Sequence, residues 1–298
     1  MEKTVARVAV IGPGALGCLF AARFALADMD VCLIDHDENR AARLLKQGIL
    51  VETEGAIMKA HPQVVTSYSE VPDLILVLTK SHATPSISLP PEAPVLTLQN
   101  GLGNAECLAA RCGGSRILAG ATSEAAHLLA PGHVCHAARG ITTFGAWEGC
   151  NTHMALELLQ RAGFEAVLTS TPRWTLWWKA VISAAVNPLT ALLNVPNGAL
   201  LENPESRSLL HGLAGEAILT AQMDGIYFKE DMLETVETVC RATGTNISSM
   251  LQDIRNGKQT EIDAISGEIL RRAGAAELHL PQTQVAYRLI SALESLHT

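Results

Sequence analysis

Apolar residues follow two rhythms along this chain. Before about residue 170 they form short continuous runs, the pattern of strands buried on both faces. Residues 7–11, 31–34, 73–79 and 94–99 read this way, and 164–168 reads as a last strand. Between them lie segments of helical period: 15–27, with Leu16, Leu19, Phe20 and Phe24 apolar, then 38–47 and 152–162. Gly55, set between Ile49–Thr53 and Ile57, marks a hairpin-like excursion. Residues 116–145 carry several glycines and β-prone residues and read as further strands. The rhythm changes near Ser170-Thr171-Pro172. Beyond it strand signals almost vanish, and 206–222, 231–243, 259–273 and 282–296 read as helices. The predicted organisation is an α/β domain over residues 1–170 and an all-α domain over 171–298.

The first strand runs directly into Gly12-Pro13-Gly14-Ala15-Leu16-Gly17, a G-x-G-x-x-G followed by a helix. A dinucleotide phosphate site needs that order. Gly12 makes the tight turn, Gly14 lets backbone approach a pyrophosphate, and Gly17 brings helix and strand together. With the second strand, which ends at Asp35, this forms a βαβ unit of the Rossmann type and predicts a parallel sheet covered on both faces.

Composition narrows the picture. The 298 residues are 48% hydrophobic and 17% charged, which excludes a disordered chain. A net charge of −8 leaves no basic excess for general nucleic-acid binding. Seven cysteines, at 18, 32, 107, 112, 135, 150 and 240, form no C-x-x-C, which argues against zinc ribbons and a disulfide framework and for free thiols in a reducing compartment. Met1-Glu2-Lys3-Thr4 precedes the first strand without a signal-peptide core. Arg23 and Asn187-Pro188 interrupt the longest apolar stretches, so no membrane span and a cytoplasmic location are expected.

Four groups of residues carry candidate chemistry. Asp35, with His36 beside it, stands where a carboxylate accepts bonds from an adenosine ribose and repels a 2′-phosphate, which favours NAD(H); the alternative is a solvated loop acid. Lys80 and Asn100 each follow a strand, at the sheet edge where ligands bind in open α/β folds; the alternatives are a solvated lysine and an Asn-Gly turn. Lys179, Ser183 and Asn187 stand four residues apart and form one polar line on an apolar helix, facing either a site or a helix seam. The proline after Asn187 predicts that this helix ends or kinks there. Ser249 reads as a candidate site residue or a helix cap, and Glu261 and Asp263 as site or surface acids; spacing does not choose between these.

Together these motifs resemble the ketopantoate reductase (2-dehydropantoate 2-reductase) family over nearly the whole chain. The residues that carry the resemblance are G-P-G-A-L-G at 12–17, Lys80, L-Q-N-G-L-G at 98–103, Gly120 to Ala126, W-W-K at 177–179, Asn187-Pro188-Leu189, Pro196-Asn197-Gly198, and SSMLQDIR with TEID across 248–263. The resemblance implies reduction of ketopantoate to pantoate in pantothenate biosynthesis, normally with NADP(H). It implies Lys179 as general acid, Asn187, Asn197 and Ser249 on the substrate, and Asn100 on both substrate and cofactor. Gly12 to Gly17, Lys80 and Ala126 would line the cofactor, and Glu261 would lie at the junction of cofactor and substrate. The sequence departs from the family pattern twice: Ser183 stands where an asparagine is usual, and Asp35-His36 where an arginine is frequent.

The expected enzyme is therefore an NAD(P)H-dependent oxidoreductase acting on a 2-keto acid, with no metal. The alternatives are a reductase of another 2-keto acid on the same scaffold and a non-catalytic NAD(P) sensor. The apolar helical half permits a homodimer.

Overall fold

The computed structural model describes residues 5–297, so the reading of Met1–Thr4 lies outside the described residues. Two compact units result, one formed by residues 1–99 and 104–175, the other by 100–103 and 176–298.

In the first unit β1 (Arg7–Ile11) leads into α1 (Ala15–Leu26), β2 (Asp30–Ile34) and α2 (Glu38–Gln47). β3 (Ile49–Thr53) and β4 (Ala56–Ala60) form the expected hairpin around Gly55, where φ is +87°. β5 (Gln63–Val65), β6 (Leu74–Val77), β7 (Val95–Thr97) and α3 (Asn104–Cys112) follow. Residues 117–146 supply four strands: β8 (Ile117–Thr122), β9 (Ala125–Ala130), β10 (His133–Ala138) and β11 (Ile141–Ala146). α4 (His153–Arg161) and β12 (Glu165–Leu168) close the unit.

The main sheet has the order β12-β11-β8-β7-β6-β1-β2-β5. It is parallel from β5 to β8, and β11 then runs antiparallel to β8, so the sheet is mixed rather than purely parallel. A second sheet, β4-β3-β10-β9, joins the hairpin to the later strands. The sequence gives no sign of that pairing, because β3 and β10 meet across more than 80 residues of chain. The core is where the continuous apolar runs predict it: Val8, Val10, Leu74, Leu76 and Leu96 are fully buried. Phe20 of α1 stacks on Phe164 at 4.0 Å between ring centroids.

The second unit is helical: α5 (Pro172–Leu193, which starts in the first unit), α6 (Pro204–Met223), α7 (Met232–Ala242), α8 (Ser249–Arg255), α9 (Glu268–Ala275) and α10 (Pro281–His297). α5 is long and apolar enough to cross a membrane by length and composition, but 61% of its most apolar window is buried within the protein, as in a core helix. Two readings need correction. The helix expected over 259–273 is broken: residues Asp263–Gly267 form a π turn and α9 starts only at Glu268. α5 also does not stop at Asn187; it continues through Pro188 to Leu193. Proline in a helix interior costs about 3 kcal/mol. Here the turn beyond it is buried, with Leu189, Thr190 and Ala191 at most 5% exposed, and Thr190 Oγ1 donates to the Val186 and Asn187 carbonyls. The helix ends instead at Asn194, whose φ of +56° suits the left-handed conformation that asparagine tolerates.

Candidate functional site

The glycine motif of the first unit forms a tight cradle. Gly12 has φ +105°, and a Cβ there would lie 2.8 Å from Thr79. A Cβ on Gly17 would lie 1.7 Å from the Gly12 carbonyl oxygen, so helix and turn touch only because residue 17 has no side chain. Gly14 differs: it is exposed, a Cβ on it would meet nothing within 4 Å, and it starts α1 with no side-chain cap and no acid in the first turn. The helix end therefore presents backbone N–H groups and a positive dipole end to open space, which suits a pyrophosphate. Pro13, Ala15 and Leu16 are half-buried around it. Lys80 lies half-buried just past β6, and Ala126 lies half-buried on β9 in the second sheet.

Asp35 follows β2 as expected but offers no free carboxylate. It is fully buried. Oδ2 accepts from Arg40 Nε at 2.5 Å, and Oδ1 accepts from Arg40 Nη2 at 2.5 Å and from the Asp37 backbone N–H at 3.0 Å. Three of the roughly four acceptor sites of the carboxylate are thus taken within the loop, and the Arg40 guanidinium offsets its charge. His36 beside it is exposed. Sequence reading missed Arg40; an arginine five residues after the acid, in the first turn of a helix capped by Asp37, was the available signal.

In the second unit the polar line on α5 is real. Lys179, Ser183 and Asn187 are half-buried on a helix whose Trp177, Ala180, Val181, Ala184 and Ala185 are buried. Burial lowers the Lys179 pKa from 10.5 to about 8, while the negative charge of Glu261 works against that shift. Glu261 is itself buried, and its Oε2 accepts from Asn100 Nδ2 at 2.9 Å. Lys179, Glu261 and Asn100, far apart in sequence, thus form one electrostatic group.

The π turn positions Asn100. Its Ala264 carbonyl accepts from the Leu102 backbone N–H at 2.8 Å. Gly101 (φ +80°) passes so close that a Cβ would lie 2.3 Å from the same oxygen. The segment Asn100–Gly103 consequently belongs to the helical unit, although the chain on either side of it belongs to the sheet unit. π turns recur at functional sites, where the extra residue redirects backbone groups.

The remaining candidates have distinct settings. Asn197 donates through Nδ2 to Thr243 Oγ1 at 2.9 Å, and its buried Oδ1 has no hydrogen-bond partner among the described residues. Ser249 is exposed in the first turn of α8 and does not cap it; the cap is Ser248, whose Oγ accepts from the Leu251 N–H and is hydrogen-bonded to Thr190 Oγ1. Asp263 is an exposed acid that accepts from the Tyr287 hydroxyl at 2.8 Å.

Comparison with known proteins gives a consistent result. Residues 8–149 match the family model described as ketopantoate reductase PanE/ApbA, and residues 172–294 match the one described as its C terminal part. The chain is 34% identical over 286 residues to the 2-dehydropantoate 2-reductase of Halobacterium salinarum, covering 92% of this chain and 94% of that protein. Its fold is similar to the crystal structure of a PanE/ApbA family ketopantoate reductase from Ralstonia eutropha JMP134, with a TM-score of 0.89 and 26% identity over 98% of this chain and 99% of that one. It is also similar in fold to D-mandelate dehydrogenase, solved with NADH and anilino(oxo)acetate, with a TM-score of 0.90 at 22% identity over 98% and 99% of the two chains.

Proposed function

The chain belongs to the ketopantoate reductase family, and on that premise we propose that it reduces 2-dehydropantoate (ketopantoate) to pantoate with a nicotinamide dinucleotide, Lys179 donating the proton. The observation that carries this reading is the group Lys179, Glu261 and Asn100: a lysine whose pKa is lowered to about 8, next to a buried carboxylate that favours its protonated form.

The cradle of Gly12, Gly14 and Gly17 fits the pyrophosphate of such a cofactor, because the one position open to a ligand, Gly14, lies at an uncapped helix end. Bound there, the dinucleotide supplies the hydride that the substrate carbonyl carbon accepts. Lys179 Nζ hydrogen-bonds the carbonyl oxygen, stabilises the negative charge that develops as the C=O π bond breaks, and gives up a proton to form the alcohol. A pKa near 8 keeps the ammonium protonated at neutral pH yet makes it a better acid than an ordinary lysine. Glu261 keeps the ammonium charged, and Asn100 holds Glu261 in place.

Ser183, Asn187, Asn197 and Ser249 orient the substrate. Asn197 Oδ1, buried and unpartnered among the described residues, suits a substrate hydroxyl; such an atom costs about 1–3 kcal/mol until a donor arrives. Lys80 and Ala126 complete the cofactor site. We place the domain boundary near residue 170, with an N-terminal cofactor domain and a C-terminal catalytic domain.

A steady-state assay of ketopantoate with NADPH and with NADH, run in parallel, tests the reading. Turnover with either cofactor is expected; oxidation of neither overturns it. A second reading rests on Ser183, whose shorter side chain has a smaller reach than the asparagine usual in the family: the true substrate is then another 2-keto acid. The ratio of kcat/KM for ketopantoate to that for other 2-keto acids separates the two.

A further inference from the structure

The geometry points to Arg40 as the residue that recognises the 2′-phosphate of an NADP-type cofactor, with Asp35 as the residue that positions it. This rests on the reading that the glycine cradle holds a dinucleotide.

β1 and β2 pair in parallel with Ile11 opposite Ile34, and the Gly12 N–H donates to the Ile34 carbonyl at 3.1 Å. The turn that would hold the pyrophosphate and the loop that starts at Asp35 are therefore adjacent at the carboxyl edge of the sheet. A dinucleotide on the first places its adenosine ribose toward the second.

What that loop offers depends on the Asp35–Arg40 pair. Asp35 is fully buried, and both its oxygens are engaged. Arg40 is held from two directions. Its backbone N–H donates to Asp37 Oδ1 at 2.9 Å, and its side chain grips Asp35 through Nε and Nη2. A guanidinium has two forked edges. The edge formed by Nε and Nη2 is filled by Asp35. The other edge, which ends in Nη1, makes no hydrogen bond among the described residues, and the side chain is 32% exposed. A fork of parallel N–H donors matches a phosphate monoester, and a planar guanidinium already fixed by a carboxylate loses little freedom on binding it.

The charges agree. The buried carboxylate would repel a 2′-phosphate if it stood alone, but the bidentate pair neutralises it. His36, exposed with Nδ1 3.9 Å from Asp35 Oδ1, adds a donor on the same loop. Asp37 and the exposed Glu38, in the first turn of α2, are the acids that work against an incoming anion. Asp37 Oδ1 already accepts the Arg40 backbone N–H, which draws the carboxylate toward the start of α2.

Adenosine 2′,5′-bisphosphate and 5′-AMP are the probes, because they differ only in the 2′-phosphate and neither needs turnover. The full chain should bind the bisphosphate more tightly than 5′-AMP by about 10- to 100-fold, the range of a charge-assisted hydrogen bond pair. R40A should abolish that preference and leave 5′-AMP affinity unchanged. Because R40A leaves Asp35 buried without its partner, the paired variant D35N/R40Q, which keeps a neutral hydrogen bond, should show the same loss with an unaltered Tm. D35N alone should retain part of the preference, since Arg40 keeps its charge but loses its anchor. Equal affinities for the two probes in wild type, or a preference that survives in D35N/R40Q, overturn the role of Arg40 while 5′-AMP binding leaves the dinucleotide reading standing. Binding of neither probe, with no oxidation of NADPH or NADH, overturns the dinucleotide reading itself.

Discussion

Asn100 and Glu261 lie 161 positions apart in the sequence and meet through a 2.9 Å hydrogen bond from Nδ2 to Oε2. That bond fixes the carboxylate that acts on Lys179, so the acidity of the lysine depends on two distant segments of chain.

The pH profile follows from this arrangement. The Lys179 pKa is lowered to about 8, so the ammonium is present below that pH and is lost as pH rises through it. The kcat of ketone reduction should be level below pH about 8 and fall about tenfold per unit above it. In E261Q the charge that favours the ammonium is gone, so the falling limb should move to lower pH. A profile that stays level to pH about 10 would remove Lys179 from the role of acid.

Removing the proposed acid should separate chemistry from binding. K179A is expected to lose about 10²- to 10⁴-fold in kcat. Affinity for NADPH, read by fluorescence of the reduced nicotinamide, should stay within about twofold. Unchanged turnover would sink the assignment.

Ser183 makes a substitution informative in both directions. S183N restores the residue usual in the family, one helical turn after Lys179. If ketopantoate is the substrate, its KM should fall by about two- to tenfold, the value of one hydrogen bond, with kcat little changed. If KM for ketopantoate rises while another 2-keto acid is turned over efficiently by the wild type, the second reading holds.

Three glycines should respond differently to an added methyl group. At Gly14 the methyl group meets open space, so G14A should keep its Tm and weaken dinucleotide binding. At Gly17 it would lie 1.7 Å from a backbone oxygen, and G17A should lower Tm. At Gly101 it strikes the Ala264 carbonyl at a φ of +80°; G101A should lower kcat by displacing Asn100 and should shift the alkaline limb assigned to Lys179. Calorimetry, cofactor titration and a pH profile read the three effects.

Much of this was legible in the sequence because local chemistry sets it. The continuous apolar runs give β1, β2 and β6, and the i, i+4, i+8 spacing of Lys179, Ser183 and Asn187 puts them on one face of α5. What escaped depends on tertiary burial or on long-range partners. Pro188 fails to break α5 because the turn beyond it is buried. Ser248 rather than Ser249 caps α8, a one-residue choice that the bond from Thr190 helps to fix. Asp35 has the right place in the βαβ unit, but only the folded loop shows that Arg40 covers it. The β3–β10 pairing and the π turn leave no periodic trace at all.

The four residues Asn100–Gly103 are encoded between two strand-and-helix segments, yet they belong to the helical unit. A chimera joined at residue 175 would therefore take Lys179 and Glu261 from one parent and Asn100 from the other. Its Lys179–Glu261–Asn100 group would be a hybrid although each half looked intact. Recombination or directed evolution on this scaffold has to treat Asn100–Gly103 as part of the C-terminal gene segment, and natural variation at Gly101 and Ala264 should be inherited as a pair.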